Sequence, residues 1–529
     1  MVALRTWSCQ LSIISRQALF GSAGTPTIAI VGAGFGGIGL GVLLKKAHID
    51  TFTIYDKADR VGGTWWHNQY PGAEVDTVSY VYSYPFKPHP WTRTHAKQKE
   101  LHAYLEGTVD EFGIRPHLRL GAAVQSAVWV EDSHKYTLTL STGETTDCHV
   151  LVGATGFLNI PKYPSWPGLD DFRGPKFHAA RWEHEHDLNG KTVAVVGTGS
   201  TATQVVPELA KVVEKLYVFQ REPGWIVPKG ERDHTPEEQT RLENPLQYRI
   251  ARLKWFWELE KRTWRGAPWR PGTNDNELGR QAALAFIERE FADRPDLRKA
   301  VTPDYPFWGK RLVFNSTFYS ALKRPNVELV HCPVASVTPS GVVDADGVER
   351  QLDALVMATG FLTTDYLGTI GISGVDGQSL EEKWGAEPRA FLGITVPNFP
   401  NFYIMYGPGT NGGEIVSMLM RQAEYIVRAV KRMGRERVTA LEVKSAWAEL
   451  YDVWLQSQVN VTSWAVADNY YKTASGKIVT QWPFSPGVYG LLVRALGHRS
   501  MIARRRTLEP VADRALAADR PGAVDGIAN

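Results

Sequence analysis

The chain has 529 residues, too many for one hydrophobic core, so two or three domains are expected. Its formal net charge is only +3, which gives no electrostatic case for binding nucleic acid. The three cysteines, Cys9, Cys148 and Cys332, form no C-x-x-C pair and no metal-ligand spacing. They exclude the redox dithiol of disulfide reductases and fit a reducing cytosol, so a cytoplasmic protein is expected.

The N-terminal 24 residues contain Arg5, Arg16, several serines and no acidic residue. They are interpreted as a plain extension before the first strand, and a transit peptide is the alternative. No uninterrupted apolar run reaches the roughly 18 residues of a membrane-spanning helix, so no integral membrane segment is predicted.

The first strand-turn-helix pattern is TIAIVGAGFGGIGLGVLLKK, with glycines at Gly32, Gly34 and Gly37. Glycines at this spacing let a pyrophosphate approach the backbone at the N-terminus of a helix. Asp56 ends the following strand, where its carboxylate would accept hydrogen bonds from ribose hydroxyls and repel a 2′-phosphate. FAD is the cofactor expected at this turn.

A second turn of the same kind follows in KTVAVVGTGSTATQVVPELA, with Gly197, Gly199 and Ala202. Arg221 occupies the place that Asp56 has after the first turn, and a guanidinium there favours the 2′-phosphate of NADP. The neighbouring Glu222 weakens this assignment, and a solvated charge at the end of a strand is the alternative.

An internal sequence repeat supports two nucleotide-binding halves. The segment A-T-G-F follows an apolar strand at residues 154–157 and again at residues 358–361. Between them lies a tryptophan-rich helical segment. Its tryptophans are expected to pack on the nucleotide-binding domain, and a membrane-facing surface is the alternative. They are Trp255, Trp257, Trp264 and Trp269.

The predicted fold class is α/β, with two Rossmann-like domains and a helical insertion in the NADP domain. The predicted divisions are an extension (1–24), the FAD domain (25–160 and 385–506), the NADP domain (161–230 and 301–384), the insertion (231–300) and a disordered tail (507–529).

Several motifs resemble those of the Baeyer–Villiger monooxygenases over about residues 25–490. Two departures occur: Glu183 stands where the family usually has proline or aspartate, and Asn469 and Tyr470 stand where many relatives have serine and tryptophan. The matching residues are Gly62, Gly63, Thr64, Trp65, Tyr70, Pro71, Gly72 and Asp76, then Phe172, Gly174, His178 and Trp182, then Lys310 and Arg311, and finally Tyr471, Gly476, Lys477, Trp482 and Pro483.

The resemblance implies an FAD- and NADPH-dependent enzyme that inserts one oxygen atom of O2 next to a ketone carbonyl, through a peroxyflavin intermediate, to give an ester or lactone. It implies that Arg311 is the catalytic cation, that Asp76 orients it, and that Lys310 contacts the NADP phosphate. For Arg311, an interface salt bridge is the alternative. His178 and Trp182 are expected to couple the binding of NADP to a rotation of the domains. The alternative is that they only pack in the structure. The residues expected to bind cofactor are Gly32, Gly34, Gly37, Asp56, Gly63, Thr64, Trp65, Asp76, Tyr82, Gly197, Thr198, Gly199, Ser200, Thr201, Gln204, Arg221 and Lys310.

Two other functions remain open at this stage. A flavin monooxygenase that oxygenates nitrogen or sulfur has a similar architecture, but the Asp76 and Arg311 pair favours ketone oxidation. A flavin-bearing redox sensor without turnover would lack the arginine. The ketone itself and the oligomeric state are not predicted, and no metal site is expected.

Overall fold

The computed structural model describes residue 20 and residues 24–505. The predicted tail (507–529) and nearly all of the predicted extension (1–24) therefore lie outside the described residues.

The first domain is built on a five-stranded, fully parallel sheet whose strand order is β19-β7-β1-β2-β3. Its central strands are buried along their whole length, as expected for a parallel sheet covered by helices on both faces. The strands are β1 (Ile28–Val31), β2 (Phe52–Tyr55), β3 (Leu118–Arg119), β7 (Val150–Gly153) and β19 (Phe402–Ile404).

The second domain contains another five-stranded parallel sheet, in the order β13-β10-β9-β17-β8. Its strands are β8 (Lys176–His178), β9 (Thr192–Val196), β10 (Lys215–Phe219), β13 (Val327–Val330) and β17 (Ala354–Met357). Each sheet carries one of the glycine turns after its central strand, β1 or β9. The two Rossmann-like sheets predicted from the sequence are thus both present.

Smaller sheets extend the domains, in the orders β18-β4-β5-β6, β14-β15-β16, β11-β12 and β20-β21. Their strands are β4 (Val124–Val130), β5 (Lys135–Leu140), β6 (Thr145–Cys148), β11 (Ile226–Val227), β12 (Val313–Phe314), β14 (Val334–Thr338), β15 (Gly341–Asp344), β16 (Glu349–Gln351), β18 (Gly371–Ser373), β20 (Ala440–Val443) and β21 (Met501–Arg504).

Helices cover the sheets, and the two that follow the glycine turns are α1 and α4. The α-helices of the described part are α1 (Phe35–Lys46), α2 (Thr64–His67), α3 (Gln98–Glu111), α4 (Ser200–Leu209), α5 (Pro236–Glu243), α6 (Pro245–Thr263), α7 (Asn274–Glu290), α8 (Pro295–Val301), α9 (Phe318–Leu322), α10 (Leu380–Trp384), α11 (Ile415–Glu436), α12 (Ser445–Val459), α13 (Ser463–Val466) and α14 (Pro486–Leu496).

The two chain crossings between the domains pair with each other. Lys162 N donates to Gly360 O at 2.9 Å, and Leu362 N donates to Ile160 O at 3.0 Å. The Thr359 hydroxyl also donates to Lys162 O at 2.6 Å. Residues 160–162 and 360–362 therefore form one short two-stranded connection. In the described chain, the two crossings pair through their main chains at this stretch.

The chain pairs with a strand of the first domain before residue 384, where the boundary was predicted. Strand β18 pairs with β4 of the first domain, with Ile372 opposite Ala127. Tyr366, Leu367 and Trp384 are buried in the same core as β1 and β7. The strand-ending glycine at Gly360 marks the crossing more closely than the helix at residues 380–384 does.

The predicted insertion is helical, as expected, and comprises α5 to α8. It is attached to the first domain as well as to the second: the hydroxyls of Tyr248 and Ser83 are 2.7 Å apart. Of its four tryptophans only Trp269 is buried, against Trp464 at a ring distance of 5.4 Å. The expectation that these side chains all pack on the nucleotide-binding domain is wrong for the exposed Trp255, Trp257 and Trp264.

Candidate active site

Both glycine turns bend where a strand-ending alanine carbonyl of the same sheet approaches them. Gly197 has φ +121°, and a Cβ there would lie 2.5 Å from Ala358 O. Gly32 has φ +117° and faces Ala154 O in the same way. Only glycine fits such a position. The two A-T-G turns predicted to close the nucleotide-binding halves thus lie directly against the two glycine turns.

Asp56 braces the first turn from the end of β2. Its Oδ2 accepts from Ala33 N at 2.7 Å, and its Oδ1 accepts from Ala58 N at 2.8 Å. A carboxylate has about four lone-pair positions, so two remain for ribose hydroxyls.

Charged groups gather beside the second turn. Lys310 forms an ion pair with Glu222, and its ammonium lies 5.0 Å from the Tyr305 ring centroid. The Thr198 hydroxyl approaches Glu222 O at 3.5 Å, and Arg221 is exposed next to it. Lys310 is therefore paired with Glu222, and the exposed Arg221 precedes Glu222 in the chain, at the place where the phosphate of a nicotinamide dinucleotide was predicted.

Open space lies beside both glycine turns. A Cβ built at Gly156, Gly199 or Gly360 would meet no atom within 4 Å, and these residues follow the buried strand ends or begin helix α4. In contrast, Gly63 has φ +54°, and a Cβ there would lie only 3.0 Å from Gly34 Cα. Backbone is thus uncovered beside each turn, and glycine at position 63 lets the G-G-T-W segment lie against the first turn.

Thr64 begins the short helix α2, next to that turn, and Trp65 is buried in it. The Trp65 indole N–H donates to the Tyr82 hydroxyl at 3.2 Å. Burial raises the pKa of Tyr82 well above its usual range, so this hydroxyl keeps its proton. These three residues, all predicted to bind cofactor, form one wall beside Gly34 and Gly63.

Arg311 and Asp76 meet across the boundary between the two domains, although they are 235 positions apart. Arg311 Nη2 donates to Asp76 Oδ2 at 2.8 Å. The Arg311 side chain remains 39% exposed and that of Asp76 only 16% exposed. Desolvation opposes the charge on Arg311, but the nearby Asp76 carboxylate outweighs it and raises the Arg311 pKa. Arg311 therefore stays charged in a recess, where protein surrounds part of its guanidinium and solvent reaches the rest.

Tyrosines surround this cation. The Arg311 charge lowers the pKa of each of five tyrosines, while burial raises it more. They come from the first domain and from the C-terminal segment: Tyr70, Tyr82, Tyr406, Tyr470 and Tyr471. Neutral hydroxyls and ring edges therefore line the recess that the guanidinium faces.

The C-terminal segment predicted to cover the ligand lies against the loop that carries Arg311. Asn469 Nδ2 donates to Gly309 O at 2.8 Å, two residues before Arg311. Tyr471 is buried, and Lys477 pairs with Asp452 at 2.9 Å. Asn469, one of the two departures from the family pattern, thus connects this segment to the active-site loop.

Gln204 was predicted to bind cofactor, but its amide is occupied at the domain interface. Its Oε1 accepts from Glu74 N and from the Tyr70 hydroxyl, each at 3.1 Å. Its Nε2 donates to Glu74 O at 2.9 Å. Helix α4, which begins at the second glycine turn, is thereby fixed to the segment that leads to Asp76, and the cofactor role of Gln204 stays a prediction.

A buried ion pair at the same interface was not predicted. Lys229 Nζ lies 2.6 Å from Glu74 Oε1, and the two side chains are 3% and 10% exposed. Arg93 approaches the other carboxylate oxygen of Glu74 at 3.4 Å and Asp233 at 2.5 Å. The residues lie in unrelated parts of the sequence, and no local pattern indicates that they meet.

His178 and Trp182 lie at the edge of the second sheet. His178 ends β8 and is almost fully buried, and its Nδ1 accepts from Ala180 N at 3.1 Å. Its Nε2 approaches the backbone of Gly360 without a well-formed hydrogen bond. Burial lowers the His178 pKa to about 4, so the ring is neutral near pH 7. Trp182 packs edge-on against Phe177 at a ring distance of 5.0 Å. His178 therefore touches the connection between the domains.

Comparison with known proteins places this geometry in a family. The chain is 35% identical over 463 residues to a Baeyer–Villiger monooxygenase of Pseudomonas aeruginosa, covering 86% of this chain and 87% of the relative. It is 37% identical over 470 residues to a Baeyer–Villiger monooxygenase of Streptomyces coelicolor, covering 86% and 88%. The chain belongs to the Baeyer–Villiger monooxygenase family.

Solved structures agree with this membership. The monooxygenase matches cyclohexanone monooxygenase from Rhodococcus sp. Phi1 bound to NADP+ with a TM-score of 0.82 and 30% identity, covering 91% of this chain and 100% of the other. It matches an oxidized steroid monooxygenase bound to NADP with a TM-score of 0.80 and 28% identity, covering 91% and 99%. A broader family profile, described as pyridine nucleotide-disulphide oxidoreductase, matches residues 29–248.

The monooxygenase therefore uses FAD and NADPH to insert oxygen from O2 into a small-molecule ketone, as the sequence predicted. No helix of the described residues is both long and apolar enough to span a bilayer.

Proposed function

We propose that Arg311, held by Asp76, is the cation at which this monooxygenase converts a ketone to an ester or lactone. The observation that supports this assignment is the bond from Arg311 Nη2 to Asp76 Oδ2 at 2.8 Å, in a recess where two dinucleotide-binding turns and a covering segment converge. When bound, FAD and NADPH supply the electrons and the activation of O2.

The free N–H groups of Arg311 point to its role. A guanidinium has five N–H groups, and among the described residues only one of them, on Nη2, has a hydrogen-bond partner. The remainder are left for an oxyanion. They would stabilise negative charge as it develops on the carbonyl oxygen of the substrate, because preorganised donors cost no rearrangement during the reaction.

Asp76 is proposed as the residue that positions Arg311 and offsets the cost of desolvating its charge. A lysine at position 311 would not serve equally, since an ammonium loses its proton more readily in a dry site and lacks a planar fork. The tyrosines around the recess exclude water and present neutral surface to an apolar ketone.

We further propose that NADPH is preferred over NADH, because Arg221 and Lys310 are available for a 2′-phosphate. Lys310 would exchange Glu222 for phosphate when the coenzyme binds. A cyclic ketone is the proposed first substrate to test, because a cyclohexanone monooxygenase is among the structural relatives. The two described cysteines are unpaired and buried, which fits a cytosolic location.

The direct experiment supplies the purified protein with FAD, NADPH, ¹⁸O2 and a cyclic ketone, and examines the product by mass spectrometry. The proposal predicts a lactone that carries one ¹⁸O atom and forms faster with NADPH than with NADH. A parallel reaction offers a thioether of similar size. A sulfoxide as the sole product, with no ester or lactone from any ketone in a linear, cyclic and aromatic panel, would contradict the proposal.

A further inference from the structure

Helix α6 presents an unusual apolar stripe to solvent. Leu246, Ile250, Leu253, Trp257 and Trp264 recur at helical spacing and therefore lie on one face. Each of them is between 45% and 67% exposed. The helix has 19 residues, so the stripe is roughly 28 Å long at 1.5 Å per residue. Contiguous exposed apolar surface of this extent on a folded protein indicates an interaction site.

Cations border the stripe on both sides. At 100° per residue, Lys254, Lys261 and Arg265 lie along one edge, and Arg249 lies along the other. All four are exposed. Of the acidic residues between positions 245 and 265, Glu260 is buried and Glu258 lies 3.5 Å from Lys261. The surface is thus apolar along its centre and positively charged at its borders.

The opposite face of α6 is firmly attached, so the stripe is not exposed through loose packing. Arg252 Nη1 donates to Tyr80 O at 2.6 Å and to Ser83 O at 2.9 Å. At one border of the stripe, between Leu253 and Arg249 on the helix surface, the buried Glu260 accepts through Oε1 from Gly487 N at 2.8 Å at the start of α14. Polar contacts to the first domain orient the helix and leave its apolar residues outward.

We propose that this face of α6 docks on the surface of a lipid bilayer that contains anionic headgroups. A helix with Trp, Leu and Ile on one face and Lys and Arg at its borders lies in the plane of the interface, with its apolar side chains among the acyl chains. Tryptophan favours this depth, because its ring is both apolar and polar. The bordering cations would attract anionic lipids. Peripheral attachment of this kind, at the membrane surface, needs no membrane-spanning helix.

The same features disfavour a second copy of the chain as the occupant. In a twofold dimer the same patch faces itself, so the bordering cations of the two copies would lie close together. Four exposed cations border the stripe, and Glu258 is the one partly exposed acid among the described residues 245–265. A contact between two copies of this face would therefore be repulsive. An anionic lipid surface instead complements them.

The test is sedimentation of the FAD-loaded full-length protein with vesicles. One set contains phosphatidylcholine alone, and the other contains phosphatidylcholine with about one third phosphatidylglycerol. The variant is Ile250→Ser with Trp257→Ser, which removes the centre of the stripe. The matched control is Val212→Ser with Val348→Ser, two apolar residues of similar exposure outside the insertion. Light scattering during size-exclusion chromatography gives the oligomeric state of each protein, and NADPH-dependent turnover and melting temperature show that each is folded.

We expect wild type and control to sediment with the anionic vesicles, more weakly in high salt, and the stripe variant to bind at least about tenfold more weakly with unchanged melting temperature. Three results would overturn the proposal: no sedimentation of wild type with anionic vesicles, equal sedimentation of the stripe variant, or a wild-type dimer that only the stripe variant dissociates. The last result would show that the surface is a contact between copies.

Discussion

Replacing Gly197 by alanine should weaken NADPH binding strongly while FAD remains bound. Gly197 has φ +121°, a conformation that L side chains rarely adopt, and its new Cβ would lie 2.5 Å from Ala358 O. The oxygen belongs to the backbone of a neighbouring strand end and the Cβ is bonded directly to the turn, so neither can move aside without distorting the backbone. The Gly32 turn of the first domain is untouched.

The expected size follows from two costs. A side chain at positive φ costs roughly 1–2 kcal/mol. Overpacking a tight site costs typically about 1–3 kcal/mol more. If the turn relaxes out of its binding geometry, the sum of about 2–5 kcal/mol appears as a loss of NADPH affinity of roughly 30-fold to 5000-fold.

Gly190→Ala is the matched control, because Gly190 also has positive φ, +66°, but a Cβ there meets nothing within 4 Å. The assay measures flavin content by absorbance after desalting and the Kd of NADPH by titration. Gly190→Ala should bind NADPH much as wild type does. Wild-type affinity in Gly197→Ala, or loss of FAD in place of NADPH, would refute the assignment of this turn.

Three further variants test other parts of the structure. Arg221→Ala should raise the KM for NADPH about tenfold or more, since a charged hydrogen bond to phosphate contributes roughly 1.5–3 kcal/mol, and should leave the KM for NADH little changed; equal effects on both coenzymes would contradict this. Lys229→Met should destabilise the protein by about 3–5 kcal/mol, because it leaves Glu74 buried without its closest cation. The exposed pair Lys211–Glu208 supplies the control, as Lys211→Met should change the melting temperature little. Burial lowers the His149 pKa to about 4, so stability from the neutral ring is complete above about pH 6.5 and is lost as the pH falls toward 4. His149→Gln should therefore reduce the fall in stability between pH 7.5 and 5.5 by about 1 kcal/mol, and an unchanged pH profile in chemical denaturation would show that His149 does not titrate in this way.

Features with a local signal were predicted well from the sequence. Each glycine turn follows a β-branched strand and precedes a helix, as expected, and the structure places each against its own A-T-G turn. This was possible because Gly32 and Gly197 are required by the conformation of a few consecutive residues. The pairing of Arg311 with Asp76, 235 positions apart, came from the family resemblance and not from any spacing.

Other features depend on contacts that no local pattern reports. The amide of Gln204 joins the domains because the Tyr70–Glu74 segment packs on α4, and the Lys229–Glu74 pair arises from the same packing. Likewise, the apolar spacing of α6 predicts an amphipathic helix but does not show which face is inward. Tyr248 and Arg252 select the buried face, and this choice leaves Trp257 exposed.

The most direct test of the central claim is the yield of ester per NADPH consumed in Arg311→Ala. The variant should keep its FAD, since Gly32 and Asp56 are unchanged, and should still consume NADPH. It should form ester about a hundred to a thousand times more slowly than wild type, because a preorganised donor contributes roughly 2.7–4 kcal/mol. Arg311→Lys should restore little of this rate. The electrons of the consumed NADPH should instead reduce O2 to hydrogen peroxide. A normal ester yield in Arg311→Ala would contradict the account and reduce the Arg311–Asp76 bond to an interdomain salt bridge.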